Sequence, residues 1–339
     1  METKLLKTTD DDIKTAGDII AGGGLVAFPT ETVYGLGASA FDPHAAKKIY
    51  AAKGRPSDNP LIVHVCDKSQ ISDIAEEITV DAKKVIDVFM PGPITIILNK
   101  KSTVPDEVTA GLNTVAIRYP SNETAQRLIK ASGVPIAAPS ANLSGKPSPT
   151  KAAHVKQDMT GRIDAIIDGG TCDVGVESTI VDFTGDKPTI LRPGGVTYDD
   201  IKSIGIDIQI DKNILRSIGE NEVPKSPGMK YKHYAPNAEV TVIEGEKDAV
   251  QKKIKELLAG VKGKTAGVLA MYGADYDNAV ILHAGESNQE YARNLFSALR
   301  EFDNLGVEVV FAEFCERDGY GLAVRNRLYK AAAQRVIHV

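Results

Sequence analysis

Leu25-Val26-Ala27-Phe28, then Pro29-Thr30-Glu31-Thr32-Val33-Tyr34-Gly35-Leu36-Gly37, then a helix signal at Asp42-Pro43: this stretch decides the fold. A four-residue apolar run bounded by glycines on one side and a proline on the other has the length of a buried strand. The hydroxyls and glycines that follow allow the backbone to approach a ligand closely, so residues 30–37 read as a strand-to-helix loop. Asp42 offers a cap and Pro43 a preset first turn, with Ala45, Ala46, Ile49 and Tyr50 spaced along one buried face. The end of that helix delivers Lys53-Gly54-Arg55-Pro56. Strand, loop and helix in this order predict an α/β architecture.

Upstream, Asp10-Asp11-Asp12 before Ile13, Ala16, Ile19 and Ile20 is an acidic helix start, favourable at the positive end of the helix dipole, and Gly22-Gly23-Gly24 ends it. These glycines are no dinucleotide fingerprint, because that motif places them after the strand. Downstream, strands are predicted near 61–65, 94–98, 114–119, 134–138, 165–168, 178–182 and 189–192, and helices over 71–90, 123–130 and 150–161. The crowding of strands toward the end of this region predicts an open, twisted mixed sheet. From about 205 to 237 the pattern thins into charged, Pro/Gly-bearing sequence. Beyond it, strands near 240–243, 266–271, 279–282 and 307–311 alternate with helices near 248–258, around Ala292, Leu295, Leu299 and Phe302, and through Leu328. This is the pattern of a small Rossmann-like domain, and it shows no catalytic charge constellation. The expected division is therefore 1–205, a linker over 206–236, and 237–339.

With 339 residues, 42% hydrophobic and a formal net charge of −5, the chain is long enough for two cores and too acidic overall for a sequence-independent nucleic-acid binder. Cys66, Cys172 and Cys315 lie far apart without Cys-x-x-Cys spacing, so neither a disulfide framework nor a zinc site is expected. Residues 1–12 are too polar for a signal peptide, and no run approaches the roughly 20 apolar residues of a membrane span. A soluble, cytoplasmic protein is expected.

Two patches carry chemistry. Lys53-x-Arg55 puts two cations on alternate residues, a combination suited to phosphates because guanidinium binds them in a fork and ammonium as a mobile point charge. Ser140-x-Asn142, after the apolar strand ending at Ala138, supplies neutral hydrogen bonds. Ser144-Gly145-Lys146-Pro147-Ser148 is not a Walker loop, since Ser140 stands where the first glycine belongs and Pro147 where a hydroxyl belongs. Arg118, at the end of an apolar strand, needs a carboxylate, either a structural Asp or Glu or that of a ligand. His64 sits in a strand where a hydrogen-bonded core histidine is the ordinary reading. No Ser/His/Asp or Cys/His arrangement marks a protein nucleophile.

In order along the chain stand Pro29-Thr30-Glu31-Thr32-Val33-Tyr34-Gly35-Leu36-Gly37, Lys53-Gly54-Arg55-Pro56, Asn59-Pro60-Leu61, Ala116-Ile117-Arg118-Tyr119-Pro120, Ala138-Pro139-Ser140-Ala141-Asn142, Glu177-Ser178-Thr179-Ile180-Val181 and Leu191-Arg192-Pro193-Gly194. This series closely resembles the YrdC/Sua5 family of threonylcarbamoyl-AMP synthases, and Ser226-Pro227-Gly228-Met229-Lys230-Tyr231-Lys232-His233-Tyr234-Ala235-Pro236 resembles the linker of its two-domain Sua5 branch. The resemblance implies a YrdC-like domain and a Sua5 C-terminal domain, joined by a linker that covers the active site as a lid. It implies ATP, L-threonine and bicarbonate as substrates, with magnesium on the phosphates; no carboxylate cluster marks its ligands, and Glu31 and Glu177 are candidates by proximity to motif residues alone. The product would serve tRNA threonylcarbamoyladenosine formation through a transient contact with a transferase complex. Lys53 and Arg55 are the implied catalytic cations. Asn59, Thr114, Ser140, Asn142, Ser148, Arg192 and Tyr234 would join them on ATP, while Thr32, His64, Arg118, Ala138 and Ser178 would hold threonine. The competing expectation is an RNA-binding module without catalysis.

Overall fold

The computed structural model describes residues 2–215, 226, 233–271, 275–315 and 319–339. Its strands are β1 (Lys4–Leu6), β2 (Val26–Phe28), β3 (Gly35–Ser39), β4 (Ile62–His64), β5 (Ile94–Asn99), β6 (Thr114–Arg118), β7 (Ile136–Ala138) and β8 (Ala165–Ile167). They continue with β9 (Thr179–Asp182), β10 (Thr189–Arg192), β11 (Gln209–Ile210), β12 (Glu239–Glu244), β13 (Ala266–Met271), β14 (Val280–Gly285), β15 (Val309–Phe314) and β16 (Val336–His338). The helices are α1 (Asp10–Ala21), α2 (Pro43–Lys53), α3 (Ile71–Ile74), α4 (Val80–Phe89), α5 (Asp106–Thr109) and α6 (Glu123–Ser132). After them come α7 (Ala152–Met159), α8 (Tyr198–Ser203), α9 (Lys247–Gly260), α10 (Asn288–Asn304) and α11 (Gly321–Ala331).

Two sheets result. The first is mixed and runs β1-β8-β2-β3-β7-β4-β6-β5-β9-β10-β11; the second runs β14-β13-β15-β12-β16 with every pairing parallel. The expected α/β class, a mixed sheet followed by a Rossmann-like parallel one, is what the chain forms. Local chemistry sets the pieces. Helix α2 starts where the Asp42 carboxylate accepts the His44 N–H and ends at Gly54, whose φ of 59° is left-handed. Its face of Ala45, Ala46, Ile49 and Tyr50 is buried, as are Ala292, Leu295, Leu299 and Phe302 of α10.

Four strands depart from expectation; one of them, β11, lies within the expected linker and pairs parallel to β10 with Thr189 opposite Gln209. Residues 35–39, read as a loop, form β3, antiparallel to β2 with Val26 opposite Gly37. The glycines are there because the Phe28 ring lies across the strand: a Cβ on Gly37 would stand 2.8 Å from Phe28 and 2.7 Å from Ile136. β1 and β16 are three residues each, too short to give an alternation signal. Most of the expected lid, including Lys230, Tyr231 and Lys232, lies outside the described residues.

The two sheets meet through α10 and α11, which pack on the first domain. Gly175 has φ +80°, and a Cβ there would stand 2.4 Å from the Cα of Arg293. Gly175→Ala adds strain and a backbone clash in one step, so we expect it to lower unfolding free energy by about 2–4 kcal/mol in urea denaturation. An unchanged midpoint would mean that α10 does not press on this loop.

Candidate active site

The two patches of the sequence meet. Lys53, at the end of α2, is only 2% exposed, and its Nζ donates to the carbonyls of Ser140 and Asn142, both at 2.5 Å. Ser140 Oγ donates to Asn142 Oδ1 at 2.5 Å, and Asn142 Nδ2 donates to the carbonyls of Leu143 (2.8 Å) and Lys146 (3.0 Å). Arg55, past the left-handed Gly54, donates from Nη2 to Asn59 O and Pro60 O, each at 3.3 Å. Burial first, then the charge of Arg55, pulls the Lys53 ammonium well below its ordinary range.

A second cation closes the opposite wall. Arg118, at the end of β6, donates from Nη2 to Glu31 Oε1 at 2.7 Å and to Thr30 Oγ1 at 3.3 Å. Its buried Nε has no partner among the described residues. Both of the sequence alternatives are thus served: a structural glutamate takes one part of the guanidinium and leaves another donor for a ligand. His64 lies beside it, edge-on to Phe28 with Nδ1 3.0 Å from Ile62 O, and burial followed by Arg118 pushes its pKa to about 3.

Arg192 ends β10 and donates from Nε to Ser178 O (3.0 Å) and from Nη2 to Ser178 Oγ (3.1 Å). Burial pulls its pKa to about 10. Glu177 accepts from Ser148 Oγ at 2.6 Å and from Arg327 Nε at 3.1 Å. Burial pushes this carboxyl up, but Arg327 and Arg192 outweigh it and hold it below the usual range. Tyr234 is buried with a left-handed φ of 64°, its ring 5.0 Å from Phe296 and 5.6 Å from His233. Burial and then Glu177 push its hydroxyl up to about 12.

These groups surround one cleft, whose enclosed space is about 60 Å³. Of the expected residues, Lys53, Arg55, His64, Arg118, Ala138, Ser140, Asn142, Ser148, Arg192 and Tyr234 line it. Thr32, Asn59 and Ser178 stand behind the lining, touching it through Thr30, Arg55 and Arg192. Thr114 is not in the lining: it opens β6 opposite Asn99, on the same strand face as Arg118 and two residues before Ala116, which pairs with Ile62 of the lining. Thr30, Glu177 and His233 also line the cleft. Arg300 and Arg327 were not foreseen, because an arginine on an amphipathic helix reads as part of its solvated face. Among charged lining residues, Lys53, Arg55, Arg118, Lys146 and Arg192 face the single carboxylate of Glu177, so the cleft favours an anion.

Residues 18–194 match the Sua5, YciO and YrdC family, described as telomere recombination, and residues 196–333 match the family described as the C-terminal domain of threonylcarbamoyl-AMP synthase. The chain belongs to the Sua5/YciO/YrdC family. Within it, the second match places the chain with the two-domain Sua5 proteins. It is 50% identical to the threonylcarbamoyl-AMP synthase of Pyrococcus abyssi over 96% of each chain. The identity to that of Bacillus subtilis is 48%, over 99% of this chain and 97% of the relative. The crystal structure of P. abyssi Sua5 complexed with L-threonine superposes with a TM-score of 0.95 at 48% identity, covering 100% of both chains.

The buried histidines give a pH signature. His64 and His233 both have native pKa values near 3, whereas the unfolded chain takes up these protons near ~6.5. The native state therefore binds fewer protons, and stability falls as pH drops from about 6.5 toward 3, by ~1.4 kcal/mol per pH unit for each group. Urea unfolding of His64→Gln between about pH 7 and 5 should show a shallower decline than the parent. An identical decline would mean that the imidazole is solvated.

Proposed function

We propose that the chain joins L-threonine, bicarbonate and ATP into threonylcarbamoyl-AMP, as a nucleotidyltransferase, with the nucleotide on the Lys53 wall and the amino acid on the Arg118 wall of this one cleft. The observation that carries the reading is the convergence of Lys53, the Ser140–Asn142 turn and Arg118 around a single cavity. The threonine amine and bicarbonate condense to a carbamate with loss of water. A carbamate oxygen attacks the α-phosphorus of ATP, and the bond to the departing pyrophosphate breaks. No protein nucleophile is needed, so catalysis rests on positioning and charge.

The residues divide accordingly. Lys53 and Arg55 balance charge on the phosphates, with Arg192, Ser140, Asn142, Ser148 and Tyr234 around the nucleotide and Asn59 supporting Arg55. Arg118 takes the threonine carboxylate on its partnerless edge, while Thr32, His64, Ala138 and Ser178 surround the hydroxyl and amine. Thr114, on the face of β6 that carries Arg118, would join the nucleotide from behind the lining. Among the described residues no group of three or more His, Cys, Asp or Glu is placed to hold a metal ion. Glu177 is engaged at both oxygens, by Ser148 and Arg327, and does not fit as a magnesium ligand; Glu31 gives Oε1 to Arg118 and its Oε2 has no partner among the described residues, but it does not line the cleft, so any magnesium would travel with the ATP phosphates. No helix among the described residues is long and apolar enough to cross a membrane; we place the enzyme in the cytoplasm, handing its adenylate to a tRNA-modifying transferase.

The decisive assay is pyrophosphate release with ATP and bicarbonate. L-threonine should support it; L-valine should fail, since it leaves the polar groups around the hydroxyl unpaired, and L-serine should be rejected less strongly. No release, together with tight RNA binding, would instead favour a binding module. Lys53→Ala should abolish release, and unchanged turnover would remove Lys53 from the mechanism. Arg118→Ala should raise the threonine KM by about 10–100-fold while changing the ATP KM little, and equal increases would mark a structural role.

A further inference from the structure

Among the side chains that the second domain sets against the walls of the cleft is an arginine. Arg327, in the middle of α11, is completely buried. Its Nε donates to Glu177 Oε2 at 3.1 Å, its Nη1 to Pro193 O at 2.5 Å and to Asn326 Oδ1 at 3.2 Å, and its Nη2 to Glu177 O at 3.4 Å. The guanidinium carbon lies 6.0 Å from the centre of the Tyr234 ring. Asn326 is its neighbour on α11; Glu177, Pro193 and Tyr234 are each at or one step from the nucleotide side of the cleft. Glu177 accepts the Ser148 hydroxyl through its other oxygen, at 2.6 Å. Pro193 follows Arg192 directly, and the turn is so tight that a Cβ on Gly194 would stand 2.3 Å from Glu177 O. Tyr234 is wedged between Arg327 and Phe296 of α10 in a backbone conformation that a tyrosine adopts only when its surroundings impose it.

We propose that Arg327 is a positioning residue for the ATP side of the catalytic cleft, acting through Glu177 on Ser148, through Pro193 on Arg192 and through its ring contact on Tyr234. The inference rests on the reading of that side as the nucleotide site. The contacts explain why an arginine stands here: a planar fork can serve a carboxylate, two carbonyls and a ring face together, which an ammonium cannot. They also give it a direction. Ser178, which follows Glu177 and is bonded by Arg192, is where these recipients reach the threonine side, whereas Arg118 is held by Glu31 and Thr30, so the larger influence falls on the nucleotide side.

The test uses the full-length chain, with steady-state KM values for ATP and L-threonine measured separately by pyrophosphate release. Arg327→Met should raise the ATP KM by about tenfold or more with the threonine KM within about threefold, and Arg327→Lys should restore part of the loss. Combining Arg327→Met with Glu177→Gln should be less damaging than the sum of the two changes, because the pair is removed without leaving a buried charge unpaired. If Arg327→Met does not fold, Arg327→Lys, which keeps the charge but loses the fork, is judged by the same split. A lower melting temperature with both KM values unchanged, or equal rises in both, would overturn the inference and leave Arg327 as a link between domains. Failure of the parent chain to bind ATP in calorimetry would instead overturn the nucleotide reading on which it rests.

Discussion

Everything about the cleft follows from holding an ammonium group out of water. Lys53 loses nearly all contact with solvent and regains hydrogen bonds only from the two carbonyls that the Ser140–Asn142 turn aims at it. Those carbonyls can face inward because Ser140 and Asn142 bond each other and Asn142 anchors the loop beyond. One charge therefore fixes the end of α2, the turn after β7 and the separation between them. An anion entering this space meets a cation that has already given up its hydration, which is the arrangement that makes charge stabilisation strong.

The remaining arginines obey the same constraint by different means. Arg118 has Glu31, Arg192 has the carbonyl and hydroxyl of Ser178, and Arg327 has Glu177 and Pro193. Arg300 of α10 donates to Pro147 O at 2.6 Å and to Asp158 Oδ2 at 2.7 Å, and Asp158 Oδ2 in turn accepts the N–H of Leu143. Arg300 and Arg327 of the second domain are thus spent on segments that border the cleft, so the parallel sheet serves as its scaffold.

Much of this was legible in the sequence, and the reasons are local. The cap at Asp42, the stop at Gly54 and the apolar faces of α2 and α10 are short-range signals, and each produced the expected element. Lys53, Ser140, Asn142 and Arg118 were found because unusual residue types cluster at strand and helix ends. The failures are as specific. The glycines of β3 looked like loop glycines because nothing nearby in sequence announces that the Phe28 ring will cover them. Arg300 and Arg327 could not be distinguished from surface arginines, since their partners Asp158 and Glu177 lie more than a hundred residues away.

The buried pairs between the two domains have a consequence for where the chain can be divided. Asp158 and Glu177 belong to the first domain by sequence, yet the arginines hydrogen-bonded to them belong to the second. Severed after the mixed sheet, the first half would retain two carboxylates inside its surface with those countercharges gone, and each would have to protonate, draw in water or recruit another cation. The unit of folding suggested by the sheets is therefore smaller than the unit of electrostatic neutrality.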